Sequence, residues 1–530
     1  MLSMILSWTD AHPRVKVLGT IVVCLAVSFY ILQELLKPVG KRRGPGGKRY
    51  NLPPGPKGVP ILGSLPFLKN RAREDDHKAV TEMARYGEMT TLHLGTKTWI
   101  LLNSKRVVAE IIAKRGSLTN GRSPMPISSG IVSQHGRSLL LSLEEGWTEK
   151  RRVMHALLSG SALKQYGGWQ ELESTQMMAE YLYQPQRWFA HHYRYANSVV
   201  HRIALGERLH KSSHELADLQ EVVTRFVGSI GTSWIDWFPE LDRWTPKWVL
   251  QPWRRSWEKL GQWNYEVYRS WWVPVRRQVD AGTAPPSFVR DVLLHEETKF
   301  TGDDQEAMYV AMQLIEAGSD TTREVLNTFA MAALCYPDKF QKAREEVDWI
   351  CVDKENGSLR LPCLSDIESM PYICGVIKEL LRWRPIFVFT PDHCLTADLE
   401  FEGYSFPAGV GFVINEVPVG NECENPEAFM PERWLDGHEA DVAHGLWQFG
   451  GGRRICVGYR LAQRGLFINI ARLAMCFDYA AAGPINSRKL NHHLTTEPFP
   501  VKVTVRSNRH AQLIEDEAAR EDVLATAQGK

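Results

Sequence analysis

The stretch FGGGRRICVG, from Phe449 to Gly458, places four glycines, two adjacent arginines and one cysteine within ten residues. Glycine-rich segments usually form turns, and a lone cysteine is more often a small buried hydrophobic residue than a ligand. A chemical role for Cys456 therefore requires that its neighbours suit a ligand.

The residues around Cys456 suit a thiolate bound to heme iron. Such a thiolate needs a compensating charge, and the flat macrocycle needs a backbone that passes close to it, which Gly452 and Gly458 allow because they lack a Cβ. Arg454 is placed to meet an anionic propionate, and a helix that begins near Gly458 directs its positive end toward the sulfur. The spacing therefore favours heme binding at this loop.

A second polar stretch lies inside a long apolar segment. The residues from Thr301 to Cys335 contain no proline. They predict one helix on the order of 50 Å long, with a capping box formed by Thr301 and Asp304. In its middle, AGSDTT (Ala317 to Thr322) includes Gly318, which weakens the helix, and hydroxyls that can bend it. A polar break in a buried helix predicts a wet pocket.

Other elements are predicted from local patterns. Residues 88 to 102, EMTTLHLGTKTWILL, predict two strands that meet at Gly95-Thr96, and Val501 to Val505 predicts the last strand. Most of the remaining chain shows helical periodicity. Glu379 and Arg382 lie three residues apart on one helical face, and alone they would indicate a surface salt bridge of little energetic value.

Together these motifs resemble those of the cytochrome P450 superfamily. The cysteine stretch is similar to its heme-binding signature, and AGSDTT is similar to its oxygen-activation motif. Three further matches occur in the family's order: Trp147-x-x-x-Arg151, Glu379-x-x-Arg382 and Pro431-Glu432-Arg433-Trp434. The resemblance covers almost the whole chain and implies a mainly α fold with small β-sheets, preceded by one N-terminal transmembrane helix.

The resemblance implies a cofactor, heme b, whose iron is axially ligated by the Cys456 thiolate. The other residues of the signature are implied to complete the cofactor-binding loop: Phe449, Gly452, Arg454 and Gly458. Val457 replaces the proline common after the cysteine in some branches, which alters the rigidity of the loop more than ligation.

Two further groups of residues gain implied roles. Asp320 and Thr321 are implied to be the catalytic pair that delivers protons, Asp320 as a relay and Thr321 as a hydrogen-bonding hydroxyl. Glu379, Arg382 and Arg433 are implied to form a structural triad that supports the cysteine loop and retains heme.

The edge of the heme is implied to involve three residues. Trp147 and Arg151 share one helix face and are implied to bind the propionates, with a plain surface pair as the alternative. His393 matches a family position near the heme edge, with a satisfied core histidine as the alternative. Asp392 stands where the family usually has a proline.

The implied reaction needs electrons from elsewhere, because the chain has no recognisable GxGxxG in a strand-turn-helix setting. The resemblance implies a monooxygenase that uses O2 and receives electrons from a separate NADPH-dependent flavoprotein reductase. By family analogy, substrate contacts are expected around residues 122 to 132, in the Trp-rich region from Trp234 to Trp272 and at residues 311 to 317. Their mainly apolar side chains favour a lipophilic small molecule, and the resemblance implies that it is hydroxylated. The style resembles fungal enzymes of secondary metabolism. Oxidative coupling, ring closure, isomerisation and a non-catalytic membrane heme sensor remain as alternatives.

An apolar leader precedes the main domain. The sixteen residues from Val17 to Leu32 carry no charge, a marginal length for crossing a bilayer that flanking apolar residues extend. Six basic residues follow this run by position 49, whereas only Arg14 and Lys16 closely precede it. We therefore expect a single-pass anchor in the endoplasmic reticulum membrane with a cytosolic catalytic domain, a cleaved signal peptide being the competing interpretation.

We expect four regions: a membrane anchor (1–36), a basic and Pro/Gly-rich hinge (37–57), a heme-thiolate catalytic domain (58–506) and a polar C-terminal tail (507–530). The prolines of NLPPGP, Asn51 to Pro56, stiffen the hinge and are expected to uncouple the anchor from the globular part. The tail is expected to be loosely ordered or weakly helical.

A tryptophan-rich region, Trp234 to Trp272, holds nine of the eighteen tryptophans together with several arginines and lysines. Tryptophan and arginine suit a bilayer interface, and ordinary helix packing by bulky aromatic residues is the equal alternative.

The bulk composition excludes some classes of protein. Apolar residues make up 44% of the 530-residue chain, enough for an extensive core, and the net charge of +2 gives no indication of nucleic-acid binding. The nine cysteines are scattered without a CxxC pair, which argues against a disulfide framework or a zinc site and fits a reducing compartment.

Overall fold

Helices form most of the ordered chain, because apolar residues recur with helical spacing along most of its length. The computed structural model describes residues 13–66, 76–143, 146–157, 161–209, 214–244, 254–487 and 498–528. Its α-helices are α1 (Pro13–Leu35), α2 (Asp76–Met83), α3 (Lys105–Val108), α4 (Trp147–Leu157), α5 (Ser161–Tyr183), α6 (Trp188–Leu205), α7 (His214–Ser229), α8 (Trp234–Trp237), α9 (Pro239–Trp244), α10 (Arg254–Asp280), α11 (Asp304–Cys335), α12 (Pro337–Cys351), α13 (Pro371–Trp383), α14 (Glu416–Gly420), α15 (Tyr459–Cys476), α16 (Asn508–Arg520) and α17 (Leu524–Ala527).

Three small sheets accompany the helices. Their strands are β1 (Met89–Leu94), β2 (Lys97–Leu102), β3 (His393–Cys394), β4 (Leu399–Phe401), β5 (Tyr404–Phe406), β6 (Gly411–Ile414), β7 (Phe477–Ala481) and β8 (Val501–Val505). The four-stranded sheet has the order β1-β2-β6-β3, with β6 parallel to β2 and antiparallel to β3. The hairpin predicted at Gly95-Thr96 and the last strand at Val501–Val505 are confirmed, and so is the mainly α class with small sheets.

Helix α11 spans 32 residues and is buried along most of its length. Its N-terminus differs from the prediction, because the capping box is formed by Asp303 and Glu306. The Asp303 carboxylate accepts the Glu306 N–H at 2.8 Å, and the Glu306 carboxylate accepts the Asp303 N–H at 3.2 Å. Thr301 donates instead to the carboxylate of Glu149, from its N–H at 2.8 Å and from its hydroxyl at 2.7 Å.

The polar stretch in the middle of α11 does not break the helix, contrary to the prediction. The Thr321 hydroxyl donates to the Ala317 carbonyl at 2.7 Å, so it is satisfied within the helix. A Cβ on Gly318 would collide with the Val200 side chain of α6. Gly318 therefore permits close packing of α11 on α6 and is not a point of weakness.

The hinge predicted over residues 37–57 is docked on the domain. The Val39 N–H donates to the Thr96 carbonyl at 2.9 Å, and the Thr91 N–H donates to the Pro54 carbonyl at 3.0 Å. A Cβ on Gly55 would collide with the Thr91 carbonyl. The proline segment thus runs along strand β1 and does not uncouple the leader, because its own carbonyls are hydrogen-bond acceptors for the sheet.

The leader contains helix α1, whose large apolar side chains from Ile21 to Leu32 are exposed. Among the described residues, no helix reaches the combined length and apolarity that a membrane crossing requires.

The C-terminal tail is more ordered than predicted. Helix α16 buries His510, Ile514 and Ala518 against the domain, and it packs on α5. The Tyr183 hydroxyl of α5 donates to the Glu515 carboxylate at 2.7 Å. The buried positions of α16 recur at four-residue spacing, which gives the helix one face to bury.

In the tryptophan-rich region, some tryptophan side chains are buried by packing and others are exposed to solvent. Trp237 and Trp272 are buried, and the Trp272 indole donates to Asp304 at 2.9 Å. Trp234 and Trp244 are exposed. Packing therefore accounts for the first two, whereas a membrane contact of the exposed pair stays a prediction. Trp248 and Trp253 lie outside the described residues.

Candidate active site at the cysteine loop

The cysteine loop runs from Phe449 to Gly458 and leads directly into helix α15. The Cys456 N–H donates to the Phe449 carbonyl at 2.8 Å, which closes the loop over a turn of 3-10 helix at Gly452–Arg454. Gly458 is the N-cap residue of α15. Phe449 is half-buried and packs against the main hydrophobic core. The loop is therefore held between the core and the start of a helix.

The Cys456 thiol is accessible to solvent although protein surrounds it. Cys456 is exposed, yet desolvation by neighbouring atoms is the main cause that raises the pKa of its thiol. The Gly458 N–H and the Arg151 guanidinium act in the opposite direction and favour the thiolate. A helix N-terminus and a cation are thus placed to stabilise the charged form of the Cys456 sulfur.

Gly452 has a role that the sequence alone did not identify. Its φ of +59° lies in the left-handed region, and a Cβ there would collide with the Ile112 carbonyl. The neighbour that demands a glycine is therefore protein backbone, where the prediction named the heme ring. Gly452 also fits the family signature, because the same close approach fixes the loop that carries Cys456.

Arg454 is a buried cation with spare hydrogen-bonding capacity. Its Nε donates to the Asn120 carbonyl at 2.8 Å and its Nη2 to the Leu141 carbonyl at 2.9 Å. Its Nη1 is buried without a hydrogen-bond partner among the described residues. Burial, together with the charge of Arg122, lowers the pKa of Arg454 to about 9. A buried guanidinium in this state requires an anion beside it.

Arg122 joins this group, although the sequence placed it only in the segment expected to contact substrate, residues 122 to 132. Its Nε donates to the Leu139 carbonyl at 2.9 Å and its Nη1 to the Asp392 carbonyl at 2.5 Å. The Asp392 side chain accepts hydrogen bonds from the N–H and the hydroxyl of Ser123. Burial and the charges of Arg122 and Arg151 lower the pKa of Arg454, burial and the charge of Arg151 lower the pKa of Arg122, and the Asp392 carboxylate opposes both shifts. The cluster thus carries more positive than negative charge.

Trp147 and Arg151 both reach the cysteine loop from helix α4. The Arg454 guanidinium lies 3.8 Å from the centre of the Trp147 ring, a cation–π contact. Arg151 donates to the Ile455 carbonyl, next to Cys456. The two residues therefore face the loop and are not a plain surface pair, although their contact with a propionate stays a prediction.

His393 lies on strand β3 and is buried. Its Nδ1 donates to the Thr119 carbonyl at 3.0 Å. Burial is the main cause that lowers the pKa of His393 to about 3, with Arg122 and Arg454 acting in the same direction. The imidazole is therefore neutral and already satisfied on one side, and it stands beside the arginine cluster. Both interpretations of His393 stay open.

Glu379, Arg382 and Arg433 meet in the interior. Arg382 donates to the Glu379 carboxylate from Nε at 2.9 Å and from Nη2 at 2.8 Å. The Arg433 Nε lies 3.2 Å from both carboxylate oxygens. Two donors were missed from the sequence, the Trp434 indole and the Met430 N–H, each 2.9 Å from the carboxylate. Glu379 is fully buried, so this cluster is not the surface salt bridge that the isolated pair indicated.

Asp320 and Thr321 lie where helix α11 becomes accessible. Ala317 is exposed and Thr321 is half-buried, whereas the turns on either side are buried. Burial raises the pKa of Asp320, and Arg323, 2.8 Å from its carboxylate, counters this effect. Residues 137 to 141 link helix α11 to the arginines beside the cysteine loop. Arg137 forms an ion pair with Glu316 of α11, and Arg454 donates a hydrogen bond to the Leu141 carbonyl.

The residues present fit a heme. An unpaired Nη1 on buried Arg454 and the excess positive charge around it suit anionic propionates. The sulfur of the exposed Cys456, with a donated Gly458 N–H, suits an iron ligand.

A family model for cytochrome P450 matches residues 53–504 of the chain. The cytochrome P450 monooxygenase fogE of Aspergillus ruber is 31% identical over 519 residues, which cover 93% of this chain and 94% of that protein. The cytochrome P450 monooxygenase verL of Clonostachys rogersoniana is 32% identical over 494 residues, which cover 88% and 89%.

Solved structures share the fold at lower identity. A zebra fish cytochrome P450 solved with progesterone superposes with a TM-score of 0.65 at 20% identity, covering 82% of this chain and 100% of that chain. The same description with abiraterone gives a TM-score of 0.64 at 20% identity with the same coverage.

Proposed function

Because this chain belongs to the cytochrome P450 family and is a P450 monooxygenase, we propose that it hydroxylates a lipophilic small molecule in fungal secondary metabolism, with electrons from an NADPH-dependent flavoprotein reductase. Cys456 carries this assignment, since an accessible sulfur with a donated N–H and a nearby cation is the ligand that the family's heme requires. The fungal relatives support the biological setting.

Cys456 would hold the heme iron, and Arg454, Arg151 and Trp147 would lie at its propionates. Heme supplies, when bound, the redox chemistry that activates O2, and thiolate ligation favours cleavage of the O–O bond. The protein's own contribution is to hold the cofactor, orient the substrate and deliver protons.

The Thr321 hydroxyl oxygen can accept a hydrogen bond from an O–H group at the reaction centre. Its hydroxyl hydrogen is directed to the Ala317 carbonyl at 2.7 Å, so the lone pairs of Oγ1 remain to accept a hydrogen bond from water or from an O–H group in the pocket. Asp320, on the adjacent position, has a pKa raised by burial, so its carboxyl takes up and releases protons closer to neutral pH than an exposed aspartate does.

We assign the walls of the substrate space to three apolar residues. Leu139 and Phe387 are 44% and 48% exposed, and Ala317 is exposed on α11. The nearby cation of Arg137 is compensated by Glu316, with Arg137 Nη2 2.8 Å from its carboxylate. An uncharged, lipophilic substrate fits such walls, because they offer apolar surface.

We further propose attachment to the endoplasmic reticulum membrane, with the catalytic domain cytosolic. The uncharged run Val17–Leu32, the basic residues after it and the exposed apolar side chains of α1 support this placement. A reductase on the same membrane would then reach the domain from the cytosol.

The test of the heme ligand is Cys456→Ser. We expect the reduced carbon-monoxide adduct of the full chain to lose its thiolate-type absorption while the wild type keeps it. Cys476→Ser, at a buried cysteine on α15, serves as the matched control and should keep the band. A Cys456→Ser protein with an unchanged spectrum would refute the assignment.

Substrate class is tested with membranes that contain the protein and an NADPH-dependent reductase. They are incubated with panels of uncharged lipophilic and of charged compounds, and the products are identified by mass spectrometry. Gain of one oxygen atom in uncharged compounds supports hydroxylation. Turnover of charged compounds alone, or turnover without reductase, would contradict the proposal.

A further inference from the structure

Three carboxyl side chains follow one another along helix α11. Glu316, Asp320 and Glu324 are spaced four residues apart, so they lie on neighbouring turns of one helix face. Glu316 and Glu324 are buried, and Asp320 is largely buried. We call these residues the carboxyl row. Three buried carboxylates at this spacing repel one another unless cations or protons neutralise them.

Glu316 has its own cation. Arg137 donates to its carboxylate from Nε at 3.0 Å and from Nη2 at 2.8 Å, and both side chains are almost fully buried. The Tyr268 hydroxyl accepts a further hydrogen bond from Arg137 Nη2 at 2.8 Å. This two-pronged geometry pairs the Glu316 carboxylate with the Arg137 guanidinium.

Asp320 also has a cation. Arg323 Nη2 lies 2.8 Å from its carboxylate, and the guanidinium is stacked 4.7 Å from the centre of the Tyr193 ring of α6. Arg323 is almost fully buried, so it is held beside Asp320 by packing.

Glu324 has no cation of its own. It is 6% exposed, and among the described residues no hydrogen bond or ion pair reaches its carboxyl oxygens. The charged groups that act on it are Asp320, which repels its negative charge, and Arg323, which is already paired with Asp320.

Helix α6, which packs on α11, brings two ionisable side chains close to Arg323. On α6 the ionisable neighbours are Tyr193 and His192, and burial raises the pKa of Tyr193 and lowers that of His192 to about 3. Both are neutral at pH 7. The carboxyl row therefore contains three acids and two guanidinium groups, and its charge is balanced when one acid carries a proton.

We propose that Glu324 carries this proton and passes it to Asp320 during turnover, which makes it a positioning residue of the proton route. In this step the Glu324 carboxylic acid loses a proton and the Asp320 carboxylate gains it. Asp320 then passes its proton on toward the reaction centre, and Glu324 regains one from a hydronium ion of the solvent, which leaves water. The inference rests on the proposed relay through Asp320. Four-residue spacing places the two carboxyl groups within reach of a direct contact or of one bridging water.

The electrostatic surroundings agree with this geometry. Burial, followed by the charge of Asp320, raises the pKa of Glu324 to about 8. Glu324 is therefore protonated at pH 7 and loses its proton as the pH rises through 8.

The first experiment is infrared spectroscopy of the heme-loaded full chain, which detects the carbonyl stretch of a protonated carboxylic acid. We expect a band at pH 7 that titrates away near pH 8, is absent in Glu324→Gln and is shifted but present in Glu324→Asp. In Asp320→Asn the midpoint should fall by about one pH unit, because the neighbouring charge is gone. Glu416, another buried carboxyl with a raised pKa, adds to the same region in every variant, so the test is the component that titrates near pH 8. Absence of that component in the wild type, or its persistence in Glu324→Gln, would overturn the proposal without bearing on the monooxygenase function.

The second experiment measures hydrogen peroxide released per NADPH oxidised, with reductase and the substrate found by mass spectrometry. A positioned proton donor contributes about 10²-fold or more to proton transfer, so Glu324→Gln should make peroxide a main product at pH 7. The wild type should approach the same peroxide yield above pH 8, the variant should be insensitive to pH, and Glu324→Asp should restore coupling.

The outcomes separate the inference from the function it extends. Peroxide release that rises in Asp320→Asn and stays at the wild-type level in Glu324→Gln would leave the Asp320 relay intact and overturn the role of Glu324. If neither variant changes the peroxide yield, both the proton relay through Asp320 and the role of Glu324 are refuted.

Discussion

Replacement of Glu379 by glutamine tests whether the buried triad holds the cysteine loop in place. The Glu379 carboxylate accepts hydrogen bonds from five N–H groups, which belong to Arg382 (Nε and Nη2), Arg433, Trp434 and Met430. A glutamine keeps the shape and supplies one acceptor oxygen, but its amide nitrogen then faces further donors. If its oxygen takes the place of Oε1, the N–H groups of Arg382 Nε and Trp434 lose their acceptor.

The magnitude follows from these contacts. Each unsatisfied buried donor costs about 1–3 kcal/mol, and a buried ion pair broken on one side costs about 3–5 kcal/mol. We take about 4 kcal/mol for Glu379→Gln, because Arg382 still donates to the carbonyls of Pro426 and Ala428. With an unfolding entropy of about 2.1 cal/mol/K per residue over 530 residues, this energy lowers Tm by about 3–5 °C.

The assay is thermal unfolding of the heme-loaded full chain, followed by helical circular dichroism and by heme absorbance. Arg433→Met is the graded control, because Arg433 is 12% exposed and leaves the Glu379–Arg382 pair intact, so its effect should be about 1–2 kcal/mol. Heme should be lost earlier than helicity in Glu379→Gln. A melting temperature within 1 °C of the wild type by both signals, or a larger loss in Arg433→Met, would refute the reasoning.

Three further predictions concern the site and the leader. Thr321→Ala should raise peroxide release per NADPH while Thr322→Ala, its half-buried neighbour, does not, and equal coupling in both would contradict the acceptor role of Oγ1. Arg454→Met should weaken heme retention by about 10- to 100-fold, measured as transfer of heme to an acceptor protein, because a charge-assisted hydrogen bond of about 1.5–3 kcal/mol is lost. Arg453→Met, at the exposed neighbouring arginine, should retain heme like the wild type. Deletion of residues 1–36 should move the protein from the membrane pellet toward the soluble fraction, and unaltered partitioning would contradict the anchor.

The parts of the site that the sequence predicted are local in the chain. Cys456 and Gly458 are two residues apart, so the donated N–H beside the sulfur and the helix that starts there follow from their spacing. Glu379 and Arg382 share a helix turn, and the hairpin at Gly95-Thr96 needs only its own two strands. Contacts of this kind are set by backbone periodicity and therefore show in the order of residues.

Two predictions from local sequence patterns were wrong because a partner elsewhere in the chain decides the contact. Thr301 and Asp303 both suit a helix N-cap, and the choice fell on Asp303 because Glu149 of α4 takes the hydrogen bonds of Thr301. The proline segment was predicted to be a free spacer, but its carbonyls meet strand β1, which lies some 40 residues further along the chain. In both cases a distant element supplied a hydrogen-bond partner.

The amino-acid sequence by itself thus determined the cysteine loop, the long helix α11 and the positions of Asp320 and Thr321 on that helix. Tertiary structure alone decided that Gly452 faces the Ile112 carbonyl, that Arg454 binds carbonyls of residues 120 and 141, and that Arg122 joins it. In the sequence, a glycine shows only that a Cβ is absent, and an arginine shows only that a cation is present. Which atoms they meet depends on segments more than 300 residues apart, brought together by packing of the core.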